Sequence, residues 1–294
     1  MRWALWHRTT YTYDDEVTDS LGVLHLRPRS LPYQRVLDHE LSLTPVPGDA
    51  APDVDHFGNE TTFFQVRTPH TELVVRADST VEVEDRVHDD AVLAVPWERA
   101  RPAERRDLPD AWRAIELALP SPRVSRHAGA ASYAAASLAP GRPLGEASYD
   151  LMHRIHEDFA YDKTATTVTS TLDDVLAERA GVCQDFAHLF LAGWRAHGLA
   201  ARYVSGYLAT TPPPGKERVV GADASHAWVE VWLPGSEGGG DWLALDPTND
   251  QPAGERYVTV ACGRDYGDVP PVRGIIFTEA RSSSLKVEVD VAPG

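Results

Sequence analysis

The stretch Ala180–Leu208, "AGVCQDFAHLFLAGWRAHGLAARYVSGYL", contains Cys183, one of only two cysteines in 294 residues. Phe186, Leu189, Phe190 and Trp194 recur at spacings of three and four, which predicts an amphipathic helix ended by Gly198. Cys183 stands at the start of that helix, directly after a Gly-Val step. The first N–H groups of a helix lack intrahelical partners and carry the positive end of its dipole, so a thiol there is favoured as thiolate. The same groups can hold the oxyanion formed when a carbonyl is attacked. Taken alone, such a cysteine is more often an inert buried thiol.

Beyond the helix, "ARYVSGYLA" reads as a strand, and two alternating runs follow: "SHAWVEVWLP" and "DWLALDPTND". The Gly- and Pro-rich "PGSEGG" between them predicts a hairpin. A turn centred on Ser236 sets Trp232 against Gly240, Glu230 against Trp242, Trp228 against Ala244 and His226 against Asp246. Val229, Val231, Leu233, Leu243 and Leu245 then form the core face. On the other face the Asp246 carboxylate lies within reach of the His226 imidazole. Asp246 could fix the His226 tautomer, and His226 could exchange protons with Cys183 and a leaving group. A one-residue slip would separate the pair, and a surface His–Asp contact of little consequence is an equal reading of these two residues alone.

Upstream of the helix, "SYDLMHRIHEDFAYD" aligns Leu151, Ile155 and Phe159 on one stripe, so helical periodicity begins near Ala147. "STLDDVLAERAG" pairs Thr171 with Asp174 as a capping box and ends at Gly181 as a left-handed stop. The first third of the chain is different. "RWALWHRTTYTY", "RVLDHELSLTPV", "ETTFFQV" and "TELVVRADSTVEVE" alternate like strands between turn-rich pieces. The expected organisation is an all-β, sandwich-like N-terminal domain over 1–85 and a connecting region with short helices over 86–146. An α+β core ending in the strand "SSLKVEVDV" is expected over 147–294.

The order of Cys, then His at a strand start, then Asp before Pro-Thr resembles the transglutaminase-like superfamily. "GVCQDFAHL", "RYVSGYL", "SHAWVEVWLP" and "LALDPTN" each match its core motifs, in order. "HRTTYTYDDEV", "HFGNETTFF" and "TELVVRADSTVEV" resemble the β-rich N-terminal region of bacterial members, and "CGRDYGDVPPVRG" their C-terminal segment. The resemblance implies a papain-like core, with the cysteine helix on an antiparallel sheet. It also implies Cys183 as nucleophile, His226 as general base and Asp246 as orienting carboxylate. The implied activity is cysteine-dependent hydrolysis of amide or peptide bonds through a thioester, or, with an amine as acceptor, transglutaminase acyl transfer. Family members that serve only as binding modules usually lose the cysteine or histidine; this chain keeps all three residues.

Tyr161 and Tyr207 fall where members often have aromatics near the cleft, so each is a candidate to line the substrate pocket, against core packing with a satisfied hydroxyl. His153 with His156, and Asp185 with His188, fall short of a zinc ligand set, and no acidic loop resembles a calcium site. Neither a metal nor a cofactor is expected, and Cys262 reads as structural. With 28 basic and 44 acidic residues the net charge is −16, which argues against nucleic acid or an anionic membrane as partner. A peptide or protein carrying amide groups is the expected partner. The N-terminus lacks the pattern of a signal peptide, and two cysteines do not make a disulfide scaffold, so a cytoplasmic location is the expectation.

Overall fold

The computed structural model describes residues 1–108, 111–164, 171–210, 225–235 and 241–294. Its backbone is two antiparallel sheets with helices around the second. The first sheet contains β1 (Arg2–Leu24), β2 (Gln34–Thr44), β3 (Asp49–Val54), β4 (Glu60–Val66) and β5 (His70–Val83). In β1, Trp3, Leu5, His7 and Thr9 alternate inward, as a half-buried strand requires. This 23-residue strand is bent near Val17, where its ladder changes register. Along one edge it pairs with β5 and then β4. Folding at the bend curls the sheet over a core that includes Tyr13, Val17, Leu24, Phe64, Val66 and Val75.

A helical region follows: α1 (Asp90–Leu93), α2 (Ala111–Leu117), α3 (Ala128–Ala135) and α4 (Leu144–Asp158). Leu151, Ile155 and Phe159 are buried on one side of α4, as their spacing implied. The short strand β6 (Ala160–Tyr161) leads to α5 (Leu172–Glu178), whose start is closed by the Thr171–Asp174 capping box. The left-handed residue ending α5 is Arg179, with φ 52°, and not Gly181. Gly181 instead lies in β7 (Ala180–Gly181), which pairs in parallel with β6. The chain then enters α6 (Cys183–Ala196), and Gly198 takes φ +77° just beyond its end.

The second sheet has the order β11-β10-β9-β8-β12, from β8 (Ala201–Leu208), β9 (Ser225–Leu233), β10 (Asp241–Asp246), β11 (Gln251–Pro252) and β12 (Tyr257–Gly263). α6 lies on the face that carries Val229, Val231, Leu233, Leu243 and Leu245. Gly193 permits the close approach of α3, because a Cβ there would stand 2.7 Å from the Ala134 Cβ. The last strands, β13 (Val272–Thr278) and β14 (Ser283–Pro293), return to the first sheet and pair along the free edge of β1. The chain's end thus completes the N-terminal sheet.

The two sheets meet through Trp3, Leu5, Val81 and Val289 on one side and Tyr207, Val258 and Val260 on the other. Among the described residues no helix is long and apolar enough to cross a membrane.

Candidate active site

Cys183 is the first residue of α6 and is half-buried. The helix start is held by Asp185, whose Oδ2 accepts the Val182 N–H at 2.9 Å. Gly181 leaves room for that carboxylate, since a Cβ there would lie 2.9 Å from Asp185 Oδ2. Pairing of β6 with β7 sets Tyr161 opposite Gly181, two residues before Cys183. Tyr161 is 52% exposed, and burial together with the Cys183 charge raises its hydroxyl pKa.

His226 and Asp246 come from adjacent strands, but the ladder differs from the expected one by two residues. Trp232 faces Trp242, Glu230 faces Ala244 and Val229 faces Leu245. The turn at Ser236 and Gly240 lie outside the described residues. A two-residue offset keeps every side chain on its own face, and diagonal neighbours on one face remain within reach. His226 Nε2 and Asp246 Oδ2 are accordingly 2.7 Å apart.

Asp246 is fully buried and heavily solvated by protein groups. Its Oδ1 accepts the Thr248 and Asn249 backbone N–H groups at 2.9 and 3.3 Å. Its Oδ2 also accepts from Asn249 Nδ2 at 2.7 Å and the Tyr257 hydroxyl at 2.8 Å. The sequence "DPTN" explains the local geometry: Asp opens the turn, Pro247 sets the next φ, and the following N–H groups point back to the carboxylate. α4 braces this turn, with His153 Nδ1 2.8 Å from Asp250 Oδ2 and His156 Nδ1 2.9 Å from the Thr248 carbonyl. Burial opposes charge on Asp246, yet these hydrogen bonds and the facing imidazole hold its pKa below the usual carboxylate value.

The Asp246 contact occupies Nε2, leaving Nδ1 of His226 for the thiol. Burial disfavours the imidazolium, but hydrogen bonding and charge from Asp246 and Cys183 outweigh it and raise His226 to about 10. The ring lies tilted against Trp228 and Tyr257, with both centroids 6.2 Å away, and those two rings pack edge to face on each other at 5.4 Å. A thiol, an imidazole and a carboxylate therefore adjoin in series at the start of a helix. This arrangement can supply a nucleophile, move a proton and hold an oxyanion.

Tyr207 is not part of this cluster. It is 2% exposed, and its hydroxyl is engaged with His7 Nδ1 at 3.0 Å in the seam between the sheets, so it cannot line a substrate pocket. On β8 the tyrosine that feels the Cys183 charge, as Tyr161 does, is Tyr203, four residues earlier, whose pKa is raised by burial and then by Cys183. Tyr257 and Asn249 were also missed. Asn249 closes the quoted "LALDPTN", so its position carried a signal; Tyr257 lies on a separate strand and carried none. His188, considered for a metal, accepts the Tyr266 N–H at 3.2 Å, and Cys262 lies 2.7 Å from Arg29 Nη1 on the other face of the sheet.

Comparison with known proteins agrees with this architecture. Residues 4–82 match the bacterial transglutaminase-like N-terminal region, and residues 131–247 match the transglutaminase-like superfamily core. Uncharacterized proteins of Mycobacterium tuberculosis and Mycobacterium bovis are 46% identical over 296 residues, covering 99% of this chain and 93% of theirs. A crystal structure from Cytophaga hutchinsonii, of a protein provisionally assigned as a cysteine protease, has TM-score 0.73 at 19% identity. That match covers 99% of this chain and 98% of the other and shows a shared fold. Over 96 residues, 32% of this chain and 14% of the relative, a protein-glutamine gamma-glutamyltransferase of Pseudomonas aeruginosa is 41% identical. With its cysteine at a helix start, its histidine and aspartate on neighbouring strands, and these matches at both ends, the chain belongs to the transglutaminase-like superfamily.

Proposed function

We propose that the chain is a cysteine-dependent hydrolase of amide or peptide bonds, with Cys183 as nucleophile, His226 as general acid and base, and Asp246 as orienting carboxylate. The observation that carries this reading is the 2.7 Å contact between His226 Nε2 and the buried Asp246 Oδ2, which leaves the other ring nitrogen to the thiol. The Cys183 thiolate adds to the carbonyl carbon, and N–H groups of the first α6 turn stabilise the oxyanion. Collapse of the tetrahedral species breaks the C–N bond while imidazolium His226 protonates the departing nitrogen. A thioester remains. His226, now neutral, takes a proton from water as its oxygen attacks; the C–S bond breaks and a carboxylic acid leaves.

An amine in place of water gives an acyl transferase by the same steps. The 41% identity to the Pseudomonas glutamyltransferase favours this second reading, over the third of the chain that it covers. A glutamine-containing peptide incubated with a labelled primary amine separates the two. Ammonia released without label uptake supports hydrolysis, and label in the peptide supports transfer. Alkylation of Cys183 by iodoacetamide at the rate of a model thiol, with an apparent pKa of about 8.5, would overturn both.

A further inference from the structure

The curled N-terminal sheet has two outer edges, and they are built differently. An open edge offers unpaired N–H and C=O groups to any second chain, and proteins commonly blunt such edges with proline or charge. The β2–β3 edge is blunted in this way: Pro45, Pro47 and Pro52 interrupt it, and Asp38, Glu40, Asp49 and Asp53 stud it. β13 has no proline and only one charge, Arg273, within its span. Among the described strands it pairs only with β1, and Ile275, Ile276 and Phe277 are 62%, 38% and 55% exposed.

The run Arg273–Glu279, "RGIIFTE", is complementary to itself. If two copies pair antiparallel about Ile276, that residue meets its own equivalent, Ile275 meets Phe277 and Gly274 meets Thr278. Arg273 then meets Glu279, and the twofold axis makes this ion pair twice. Neither Arg273 nor Glu279 has an ion-pair partner among the described residues of its own chain. A shallow depression of about 570 Å³ beside the strand is lined by Asp15, Glu16 and Thr18 with Ile276, Phe277 and Glu279. A slip by one residue would forfeit the Arg–Glu match.

We propose that this edge is a homodimer interface, in which β13 of two copies joins their N-terminal sheets into one continuous sheet. The interface is independent of the chemistry assigned to Cys183. It is small, so assembly depends on concentration.

Sedimentation velocity from micromolar to submillimolar protein tests it. The wild type is expected to move from the mass of one chain to that of two. Arg273→Glu and Glu279→Arg are each expected to stay at one chain, because each sets like charges opposite one another. Mixed in equal amounts, the two variants are expected to recover the two-chain mass, since the all-acidic run of one faces the all-basic run of the other. A loss of folding cannot produce that recovery. Ile276→Asp is expected to remain single under all conditions, with an unchanged circular dichroism spectrum. A wild type that stays at one-chain mass throughout, or a mixture that stays monomeric, overturns the proposal.

Discussion

At Cys183 the side chain is short, half-buried and at the end of a helix, so its removal opens little space. Cys183→Ala is expected to lower turnover at least about 10³-fold while leaving the thermal midpoint nearly unchanged, checked by peptide hydrolysis and by thermal unfolding. Asp246→Asn is expected to behave differently. An amide cannot accept at both atoms, yet Oδ1 and Oδ2 are each met by donors. That variant is expected to keep more activity than Cys183→Ala but to lose about 1–3 kcal/mol of stability, read from urea unfolding. His226 supplies a pH signature. Its pKa of about 10 in the fold lies above the unfolded value of 6.5, so the folded state holds a proton that unfolding releases in that window. Its contribution to stability is complete below pH 6.5 and is lost as pH rises through 10. The stability difference between wild type and His226→Gln is expected to shrink across that range, and a constant difference would count against the paired imidazolium.

At the level of elements, the helix that presents Cys183 was readable because its 3,4-periodicity and terminal glycine agree with one another. The hairpin was readable in phase and not in position. Alternation in "HAWVEVWL" and "WLALD" tells which residues share a face, whereas the turn centre must be guessed among several glycines. The observed ladder, with Trp232 opposite Trp242, is offset by two residues and still joins His226 to Asp246. Tyr257 could not be foreseen, because pairing between distant strands leaves no local pattern. The same holds for β14: alternation in "SSLKVEVDV" marks it as a strand, and nothing in it says that it lies beside β1, while "VRGIIFT" of β13 does not alternate and carried no strand signal. Gly206 shows how tightly the strands are set. A Cβ there would stand 2.1 Å from the Val258 carbonyl oxygen and 2.6 Å from Trp228 Cη2. Gly206→Ala is expected to cost about 1–3 kcal/mol, and, by shifting Trp228, to lower activity beyond what the lost stability explains. Thermal unfolding and kcat measured on the same preparation check both parts.

Across the whole molecule, two contacts tie the sheets and the connecting segment together without touching the reacting groups. Arg86, just past β5, reaches the fully buried Glu230 of β9 at 2.6 Å, and Arg202 of β8 meets the same carboxylate at 2.6 Å. Burial opposes charge on Glu230, but the two guanidinium groups hold its pKa at about 2. Removing one member leaves uncompensated buried charge, so Glu230→Ala is expected to lose about 3–5 kcal/mol in denaturant unfolding. The second tie is the His7–Tyr207 contact in the seam. The Tyr207 hydroxyl can donate to His7 Nδ1 only while that nitrogen is unprotonated, and His7 Nε2 is 2.8 Å from Thr9 Oγ1. Burial lowers His7 to about 4, below the unfolded value of 6.5. Between those values the unfolded chain binds a proton that the folded one refuses, so stability falls as pH falls. Burial also lowers His188 and His39 to about 4, adding to the same acid sensitivity. Each pH unit separating the folded and unfolded values is worth about 1.4 kcal/mol, so the wild type is expected to lose roughly 3 kcal/mol more than His7→Gln between pH 6.5 and 4. Parallel stability curves for the two proteins over that range would mean that the seam does not depend on a neutral His7.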